Sequence, residues 1–140
     1  MQRKIIPDVI SDQEIVSLPA TASVREAARL MERRNVGSVL IMTGDGLEGI
    51  FTERDVVCRV VAQGLDPDEM PLSQVMTKEP NTIAPAQTAI EALRMMQFGG
   101  YRHLPVIDGG RVVGVVSRRD FVGGEKARLD DESATWEVIG

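Results

Sequence analysis

The 140-residue sequence has little of what most enzyme and metal sites are built from. It contains one cysteine, one histidine, one tyrosine and one tryptophan, and aromatic residues make up 4% of it. A single cysteine forms no internal disulfide, and no CxxC pattern or Cys/His cluster indicates a metal. The sequence also lacks a P-loop and any pairing typical of a nucleophile with its base. We therefore expect no enzyme activity, no catalytic cofactor and no metal, and we expect Cys58 to be a small buried side chain.

Long apolar runs and a basic excess are also missing. No stretch of about 18 consecutive apolar residues occurs, and the beginning, MQRKIIPDVISDQ, has no apolar h-region. These absences predict a cytoplasmic protein with neither a signal peptide nor a membrane partner. The net charge is −5, which disfavours a general nucleic-acid binder because such proteins normally carry a basic excess.

An internal repeat is the most informative feature that the sequence does have. GIFTERDVV begins at Gly49 and GVVSRRDFV begins at Gly114, an offset of 65 residues. An earlier stretch fits better at an offset of 66, where Pro19 meets Pro85. Repetition of this length predicts a fold made of a doubled unit.

Each copy predicts the order strand, helix, strand, strand, helix. SVREAARLMERR and TAIEALRMMQF have apolar residues at helical spacing. Ser23 and Thr88 stand three residues before Glu26 and Glu91, which predicts a capping box in both halves. SVLIM and LEGIF, and in the second copy HLPVI and VVGVV, predict pairs of strands joined by Gly- and Asp-rich turns. A unit of roughly 55 residues buries its sheet poorly alone, so we expect the two copies to pack as one α/β body.

The remaining segments are interpreted as connections. GLDPDEMPLSQVMTKEP has turn signals at three prolines and predicts a short helical turn at LSQVM. The acidic end of the chain has no counterpart in the first half, and its Trp136 is expected to pack on a neighbouring surface. The predicted boundaries are a first repeat at 7–63, a linker at 64–76, a second repeat at 77–125 and a tail at 126–140.

The paired patterns resemble a tandem pair of cystathionine-β-synthase (CBS) domains, together called a Bateman module. Residues 49–55 and 114–120 match the family's Gly-h-h-Thr/Ser-x-x-Asp signature, in which h is apolar. VMTKEPNTIAPAQTAIEAL and YRHLPVIDGGRVVGVVSRRDF match the rest of the family pattern, and the resemblance covers about residues 7–125. It implies an α/β (α+β) fold of two tandem βαββα repeats packed with pseudo-two-fold symmetry. It also implies a regulatory module that binds adenosine compounds in clefts between the motifs, and a disc-shaped homodimer.

The hydroxyl-x-x-Asp motif suits a ribose. A carboxylate accepts hydrogen bonds from both vicinal hydroxyls, and such charge-assisted bonds are stronger than neutral ones. Asp55 and Asp120 are therefore the predicted ribose ligands. Thr52 and Ser117 stand where a hydroxyl donates to a phosphate or caps the helix, whose N-terminus favours an anion. Ligand binding and helix capping both remain open for these residues.

The two motifs differ in charge, and this predicts unequal sites. Residues 52–55 sum to −1 and residues 117–120 to +1, and Arg102-His103 stands where the first copy has Gly37-Ser38. A phosphate-bearing ligand should therefore prefer the second motif. Its predicted nucleotide-binding set is Thr82, Ile83, Tyr101, Arg102, His103, Pro105, Ser117, Arg118, Arg119 and Asp120. The weaker set at the first motif is Val16, Leu18, Gly37, Ser38, Leu40, Thr52, Arg54 and Asp55.

The adenine roles in these sets come from the family resemblance. The first strand of each copy, at Val16 to Leu18 and at Thr82-Ile83, would supply backbone hydrogen bonds, with Leu40 and Pro105 as walls. Tyr101 is interpreted either as a neighbour of the adenine or as a residue at the rim of a strand. His103 is interpreted as a structural histidine or a phosphate neighbour rather than a general base.

Three functions are weighed on this basis. The favoured one is a sensor of AMP, or of ADP or ATP, that signals to an unidentified effector protein. The alternatives are an interaction scaffold with empty clefts and a sensor of S-adenosylmethionine, whose sulfonium would be attracted to Glu53. We also expect a homodimer that buries Leu30, Met31, Val56, Val57, Val60, Val61, Leu93, Met95 and Phe121.

Overall fold

The computed structural model describes residues 2–121, which form two compact units. The first-repeat unit comprises residues 14–80 with 110–112, and the second-repeat unit comprises residues 2–13, 81–109 and 113–121. Each unit has a hydrophobic core of its own. Helices and strands are mixed in both, so the fold class is α+β, as predicted. The boundaries predicted for the repeats and the linker stay a prediction.

The first-repeat unit is built on a four-stranded sheet in the order β1-β2-β3-β4. Strand β1 (Ser17–Leu18) is parallel to β2 (Ser38–Thr43), which is antiparallel to β3 (Gly46–Thr52). Strand β4 (Thr77–Lys78) is antiparallel to β3 on its other side. Gly44 turns the chain between β2 and β3 with a φ of +59°, a conformation that glycine adopts without a Cβ penalty. The strands predicted at SVLIM and LEGIF are confirmed, whereas β4 was not predicted.

Helix α1 (Val24–Arg34) confirms the first amphipathic pattern. The Ser23 hydroxyl accepts the Glu26 N–H at 3.1 Å, and the Glu26 carboxylate accepts the Ser23 N–H at 3.1 Å, so the first capping box is confirmed. Asn35, in the left-handed conformation, ends the helix. The core of the unit consists of Ala22, Val24, Ala27, Met31, Val39, Ile41, Phe51, Val60, Leu72, Val75 and Met76.

Helix α2 follows the first motif directly. Its first turn, Glu53–Asp55, continues into wider π-type turns over Val56–Val61. Cys58 in this helix is exposed, so the prediction of a buried cysteine is wrong. The cause is helical spacing: Val56 and Val60 pack toward the core, and a residue midway between them lies on the opposite face.

The second-repeat unit repeats the pattern with helix α3 (Ala89–Gly99), strand β5 (His103–Asp108) and the larger part of strand β6 (Arg111–Ser117), and β5 and β6 pair in a two-stranded sheet. A 3₁₀ turn, Arg118–Asp120, follows β6. The helix and the two strands predicted at HLPVI and VVGVV are confirmed. The strand predicted ahead of the helix is wrong, because only an isolated parallel bridge between Ile83 and Val106 forms there. The further helix expected after the motif falls on residues beyond the described ones. The core consists of Ile5, Ile10, Ile83, Ala89, Ile90, Ala92, Leu93, Met96, Leu104, Val106, Val116 and Phe121.

The cap of α3 differs from that of α1. The Thr88 hydroxyl accepts the Glu91 N–H at 3.2 Å, so the predicted cap is present. The Glu91 carboxylate, however, accepts the side-chain amide of Gln87 at 3.0 Å in place of the Thr88 N–H. The predicted second capping box is therefore wrong in its reciprocal half, because a neighbouring amide competes for the carboxylate.

Each unit is completed by a segment from outside its own helix and strands. The Ile5 N–H donates to the Gln87 carbonyl at 2.8 Å, ahead of α3, and the Leu72 N–H donates to the Ala22 carbonyl at 2.9 Å, ahead of α1. Both Ile5 and Leu72 are fully buried. The residues that precede the first repeat in sequence therefore fold with the second repeat.

Seven of the nine apolar residues predicted for a dimer surface are buried or half-buried within the units themselves. The prediction is wrong for four of the residues, which the units bury in their own cores: Met31, Val60, Leu93 and Phe121. Three others are half-buried against the same cores: Leu30, Val56 and Met95. Only Val57 and Val61, at 61% and 68%, are strongly exposed among these nine described residues. The helices use most of these side chains to cover their own sheets.

The predictions for the tail and for Trp136 lie outside the described residues. Within residues 2–121, no helix has the length and apolarity that a membrane crossing requires.

Candidate functional site

The first hydroxyl-x-x-Asp motif forms a reciprocal cap where β3 ends and α2 begins. The Asp55 Oδ2 accepts the Thr52 N–H at 2.9 Å and the Thr52 hydroxyl at 3.1 Å. The Thr52 Oγ1 in turn accepts the Asp55 N–H at 3.3 Å. The Thr52 Oγ1 and the Asp55 Oδ2 are thus held at the start of the helix. The capping role that the sequence left open is therefore confirmed.

The second motif repeats this geometry after β6. The Asp120 Oδ2 accepts the Ser117 N–H at 2.7 Å and the Ser117 hydroxyl at 3.2 Å. The other carboxylate oxygen, Oδ1, makes no hydrogen bond within the described residues. Since a carboxylate has about four lone-pair sites, Asp120 keeps acceptor capacity beyond the cap.

A backbone hydrogen bond ties each motif to the strand beside it, and we call this contact the motif joint. At the first motif the Glu53 N–H donates to the Gly37 carbonyl at 3.0 Å. At the second motif the Arg118 N–H donates to the Arg102 carbonyl at 2.9 Å. The same joint therefore carries one negative side chain in the first-repeat unit and two positive side chains in the second-repeat unit.

The two arginines of the second joint have no ion pair with any described residue. Arg102 is exposed and Arg118 is half-buried. By contrast, Arg25 and Arg34 elsewhere in the chain form close pairs with carboxylates. Arg102 and Arg118, whose backbones are hydrogen-bonded at this joint, carry the charge and the donors that a phosphate requires.

In each unit the strand that follows the first helix, β2 or β5, pairs in parallel with residues that precede that helix. Ile83 donates its N–H to the Pro105 carbonyl at 3.0 Å and accepts the Ile107 N–H at 2.9 Å. The Leu40 N–H donates to the Val16 carbonyl at 3.0 Å. These backbone groups are paired with neighbouring segments, and the adenine roles predicted for the first strand of each copy stay predictions. Thr82 is exposed and its polar groups make no hydrogen bond with the described residues.

Tyr101 is hydrogen-bonded to the residue that precedes Thr82 in sequence. Its hydroxyl accepts the side-chain amide of Asn81 at 3.0 Å, next to Thr82 in sequence. A Cβ built on Gly99 would come within 1.9 Å of the Tyr101 ring, so the ring lies directly over that glycine. His103 is half-buried at the start of β5, as expected from its strand position.

Arg59 is a residue of the first site that the sequence reasoning missed. Its Nε lies 3.5 Å from the Asp55 Oδ1, and its Nη1 donates to the carbonyls of Val75 and Met76 at 3.0 and 3.1 Å. The Asp55 side chain is 14% exposed. The signal was present in the sequence, because an aspartate and an arginine four residues apart on a helix face each other.

The predicted site residues differ in their exposure. Those that are exposed are Arg54, Thr82, Arg102 and Arg119. Those that are half-buried are Val16, Leu18, Gly37, Thr52, Asp55, Tyr101, His103, Ser117, Arg118 and Asp120. Those that are buried are Ser38, Leu40, Ile83 and Pro105. Their roles in binding stay predictions. Within residues 2–121, no group of three or more Cys, His, Asp or Glu side chains is arranged to hold a metal ion.

A family model matches the chain twice. The model described as CBS domain matches residues 7–62 and again residues 72–124. Each matched stretch contains one of the two hydroxyl-x-x-Asp motifs, so the repeat seen in the sequence and the repeat seen in the fold coincide with the family pattern.

Known proteins with this pattern are similar to the chain. CBS domain-containing protein YhcV from Bacillus subtilis is 30% identical over 133 residues, which are 95% of this chain and 94% of that protein. CBS domain-containing protein CBSCBSPB1 from Arabidopsis thaliana is 38% identical over 125 residues, which are 89% of this chain, but the chain spans only 23% of its length. The solved structure of CBS domain protein PAE2072 from Pyrobaculum aerophilum complexed with AMP is 30% identical, with a TM-score of 0.76. The match covers 86% of this chain and 95% of that one.

Proposed function

Because the chain belongs to the CBS-domain family and carries the domain as a tandem pair, we propose that it is a regulatory module that binds an adenine nucleotide of the AMP type. It performs no catalysis of its own and reports nucleotide level to an effector protein, acting as a homodimer. The AMP carried by the Pyrobaculum aerophilum protein supports this ligand class.

The charge of the second motif joint carries the proposal. Arg102 and Arg118 are tied to each other through the backbone, and neither guanidinium has an ion pair with a described residue. A phosphate placed between them accepts charge-assisted hydrogen bonds from both, each worth about 1.5–3 kcal/mol. One such contact accounts for roughly tenfold or more in affinity.

The ribose is assigned to the carboxylate beside this joint. The Asp120 Oδ2 is occupied by Ser117, so the ribose hydroxyls donate chiefly to Oδ1. The cap holds the carboxylate in place before the ligand arrives, which lowers the entropic cost of binding. We place the adenine beside Thr82 and Tyr101, where an exposed backbone segment and an aromatic ring lie on one edge of the unit.

The first motif is proposed as the weaker site for a phosphate. Its joint carries Gly37 and Glu53, so it offers a carboxylate where the second joint offers two guanidiniums. Glu53 is exposed and makes no ion pair with the described residues. A cationic nucleoside such as S-adenosylmethionine suits that charge better and is the competing ligand for this motif.

The test is calorimetric titration of protein shown free of bound nucleotide by its absorbance near 260 nm. AMP and adenosine are compared on the wild type and on Arg102→Gln, Arg118→Gln and Asp120→Asn. We expect each arginine variant to lose roughly tenfold or more in AMP affinity while adenosine affinity changes little, because adenosine has no phosphate. Asp120→Asn should weaken both ligands alike, since both carry the ribose.

Arg111→Gln is the matched control. Arg111 is exposed at the end of β6 that lies away from the motif. The Arg111→Gln variant loses the same charge as the two joint variants, and its AMP affinity should equal that of the wild type. Unchanged AMP affinity in both joint variants would contradict the phosphate assignment. Absence of binding to AMP, ADP, ATP and S-adenosylmethionine in the wild type would contradict the sensor function and favour an interaction scaffold.

A further inference from the structure

Arg59 joins the first motif to the chain segment that follows it. Its guanidinium lies between the Asp55 carboxylate, 3.5 Å from Nε, and two backbone carbonyls, those of Val75 and Met76, 3.0 and 3.1 Å from Nη1. We propose that Arg59 is a positioning residue that couples ligand binding at Asp55 to the backbone at Val75 and Met76. The inference rests on the proposed function, because the ligand in question is the ribose of an adenine nucleoside.

The coupling follows from the shape of the guanidinium. Its nitrogens are fixed in one plane, so a rotation that moves Nε relative to the carboxylate also moves Nη1 relative to the carbonyls. The Asp55 Oδ2 is occupied by Thr52, so an incoming ribose hydroxyl must share Oδ1 with Arg59. Binding of the ribose therefore changes the balance of contacts on Arg59 and, through it, on the two carbonyls.

The segment that receives this change is part of the sheet. Met76 is followed at once by β4, which pairs with β3 through Gly49 and Ile50. Val75 and Met76 also lie in the core of the first-repeat unit, at 5% and 8% exposure. A displacement of these carbonyls therefore acts on an edge strand and on buried side chains, and a closely packed core transmits the strain because it is hard to compress.

The sequence after the second motif lacks a counterpart of Arg59. Gly124 stands in the sequence at the position that corresponds to Arg59, so the second repeat has no guanidinium there to join to Asp120. The two motifs are thereby assigned different tasks, with phosphate-dependent affinity at the second and transmission to the following segment at the first.

The first experiment uses ligand-free, isotope-labelled protein and the amide resonances of Met76 and Thr77, whose peptide groups contain the two carbonyls. Asp55→Asn removes the charge, while its amide oxygen still accepts the Thr52 N–H. We expect Asp55→Asn to shift both resonances in the wild-type background and not in an Arg59→Gln background. Arg59→Lys keeps the charge but does not span carboxylate and carbonyls together, so it should lose the shift as well.

Arg33→Gln provides the control background, because Arg33 is exposed on α1 and makes no ion pair or hydrogen bond with a described residue of the motif. The Asp55→Asn shift should persist there. A shift that also persists in both Arg59 variants, or that is missing from every background, overturns the coupling. Unfolding midpoints of the variants show whether Arg59→Gln is folded. If Arg59→Gln is not folded, the Arg59→Lys background alone tests the coupling.

The second experiment adds AMP and adenosine to the same samples. Supporting results are shifts of Met76 and Thr77 in the wild type that disappear in Arg59→Lys. Shifts of equal size in the two proteins overturn the coupling while leaving the nucleotide function standing. If neither ligand shifts the Met76 and Thr77 resonances of the wild type, although the ligand-free experiment showed the coupling, nucleotide binding at the first motif is overturned instead.

Discussion

Gly49 and Gly114 stand three residues before the hydroxyl residue of each motif, and their replacement by alanine should affect the two repeats differently. A Cβ built on Gly49 would lie 2.7 Å from the Thr77 carbonyl oxygen and 2.8 Å from the Met76 sulfur. A Cβ built on Gly114 would lie 2.8 Å from the Ile10 Cδ1 and 3.0 Å from the Gln13 Oε1. Both repeats thus use the absence of a side chain to let a neighbouring segment approach, but the neighbours differ in how easily they move.

The expected magnitudes follow from what must move. Gly49→Ala pushes on a backbone carbonyl that is fixed by the β3–β4 pairing, and overpacking of this kind costs about 1–3 kcal/mol. Gly114→Ala pushes on the ends of two side chains and endangers the bond from the Val115 N–H to Gln13, 2.9 Å long, worth about 0.5–1.5 kcal/mol. Both changes gain about 0.4–1 kcal/mol by restricting the unfolded chain. We therefore expect Gly114→Ala to be nearly neutral and Gly49→Ala to destabilise by about 1–2 kcal/mol.

The assay is urea unfolding of both variants and the wild type, followed by circular dichroism. A lower midpoint with an unchanged slope for Gly49→Ala, and a midpoint close to wild type for Gly114→Ala, is the expected pair of results. Equal destabilisation of the two variants would refute the distinction between backbone and side-chain neighbours. A neutral Gly49→Ala would refute the steric role of the motif glycine altogether.

Two further predictions concern surface charge and the face of α2. The hydrogen bond from Arg34 lowers the pKa of Glu14, so this pair stabilises the fold above the ordinary glutamate pKa, and the contribution is lost as pH falls through the lowered value. Arg34→Gln should return the pKa of Glu14 toward its ordinary value in a carboxyl NMR titration, and an unchanged pKa would contradict the pairing. Val60→Ala should cost about 2 kcal/mol in urea unfolding, because Val60 is 1% exposed. Val61→Ala, at 68% exposure, should change stability by less than about 0.5 kcal/mol, and a similar loss in both variants would contradict the assigned face.

The local elements of the fold were predictable because their signals are local. The spacing of apolar residues predicted α1 and α3, and the placement of Ser23 and Thr88 predicted where these helices begin. The repeated hydroxyl-x-x-Asp pattern predicted both the candidate ribose carboxylates and the caps they form. Such features depend on residues within one or two turns of each other, so a single sequence contains all the information they need.

Predictions about faces and partners failed where several elements compete for the same side chain. Cys58 was expected to be buried and is exposed, while Leu93 was expected on a dimer surface and is core. The Glu91 carboxylate was assigned to Thr88 and bonds Gln87 instead. In each case the outcome depends on which of several neighbours packs against the side chain or hydrogen-bonds it in the folded chain. Composition and local spacing do not reveal that choice.

The doubled unit, the order of its elements and the charge difference between the two motifs follow from residue identity and spacing along the chain. By contrast, only the folded chain shows that the residues around Ile5 complete the second repeat. Only it showed that the Arg118 N–H bonds the Arg102 carbonyl and that the Arg59 guanidinium bonds the carbonyls of Val75 and Met76. These contacts join residues far apart along the chain. Their existence depends on packing and hydrogen bonding among many groups at once, which no local pattern in the sequence encodes.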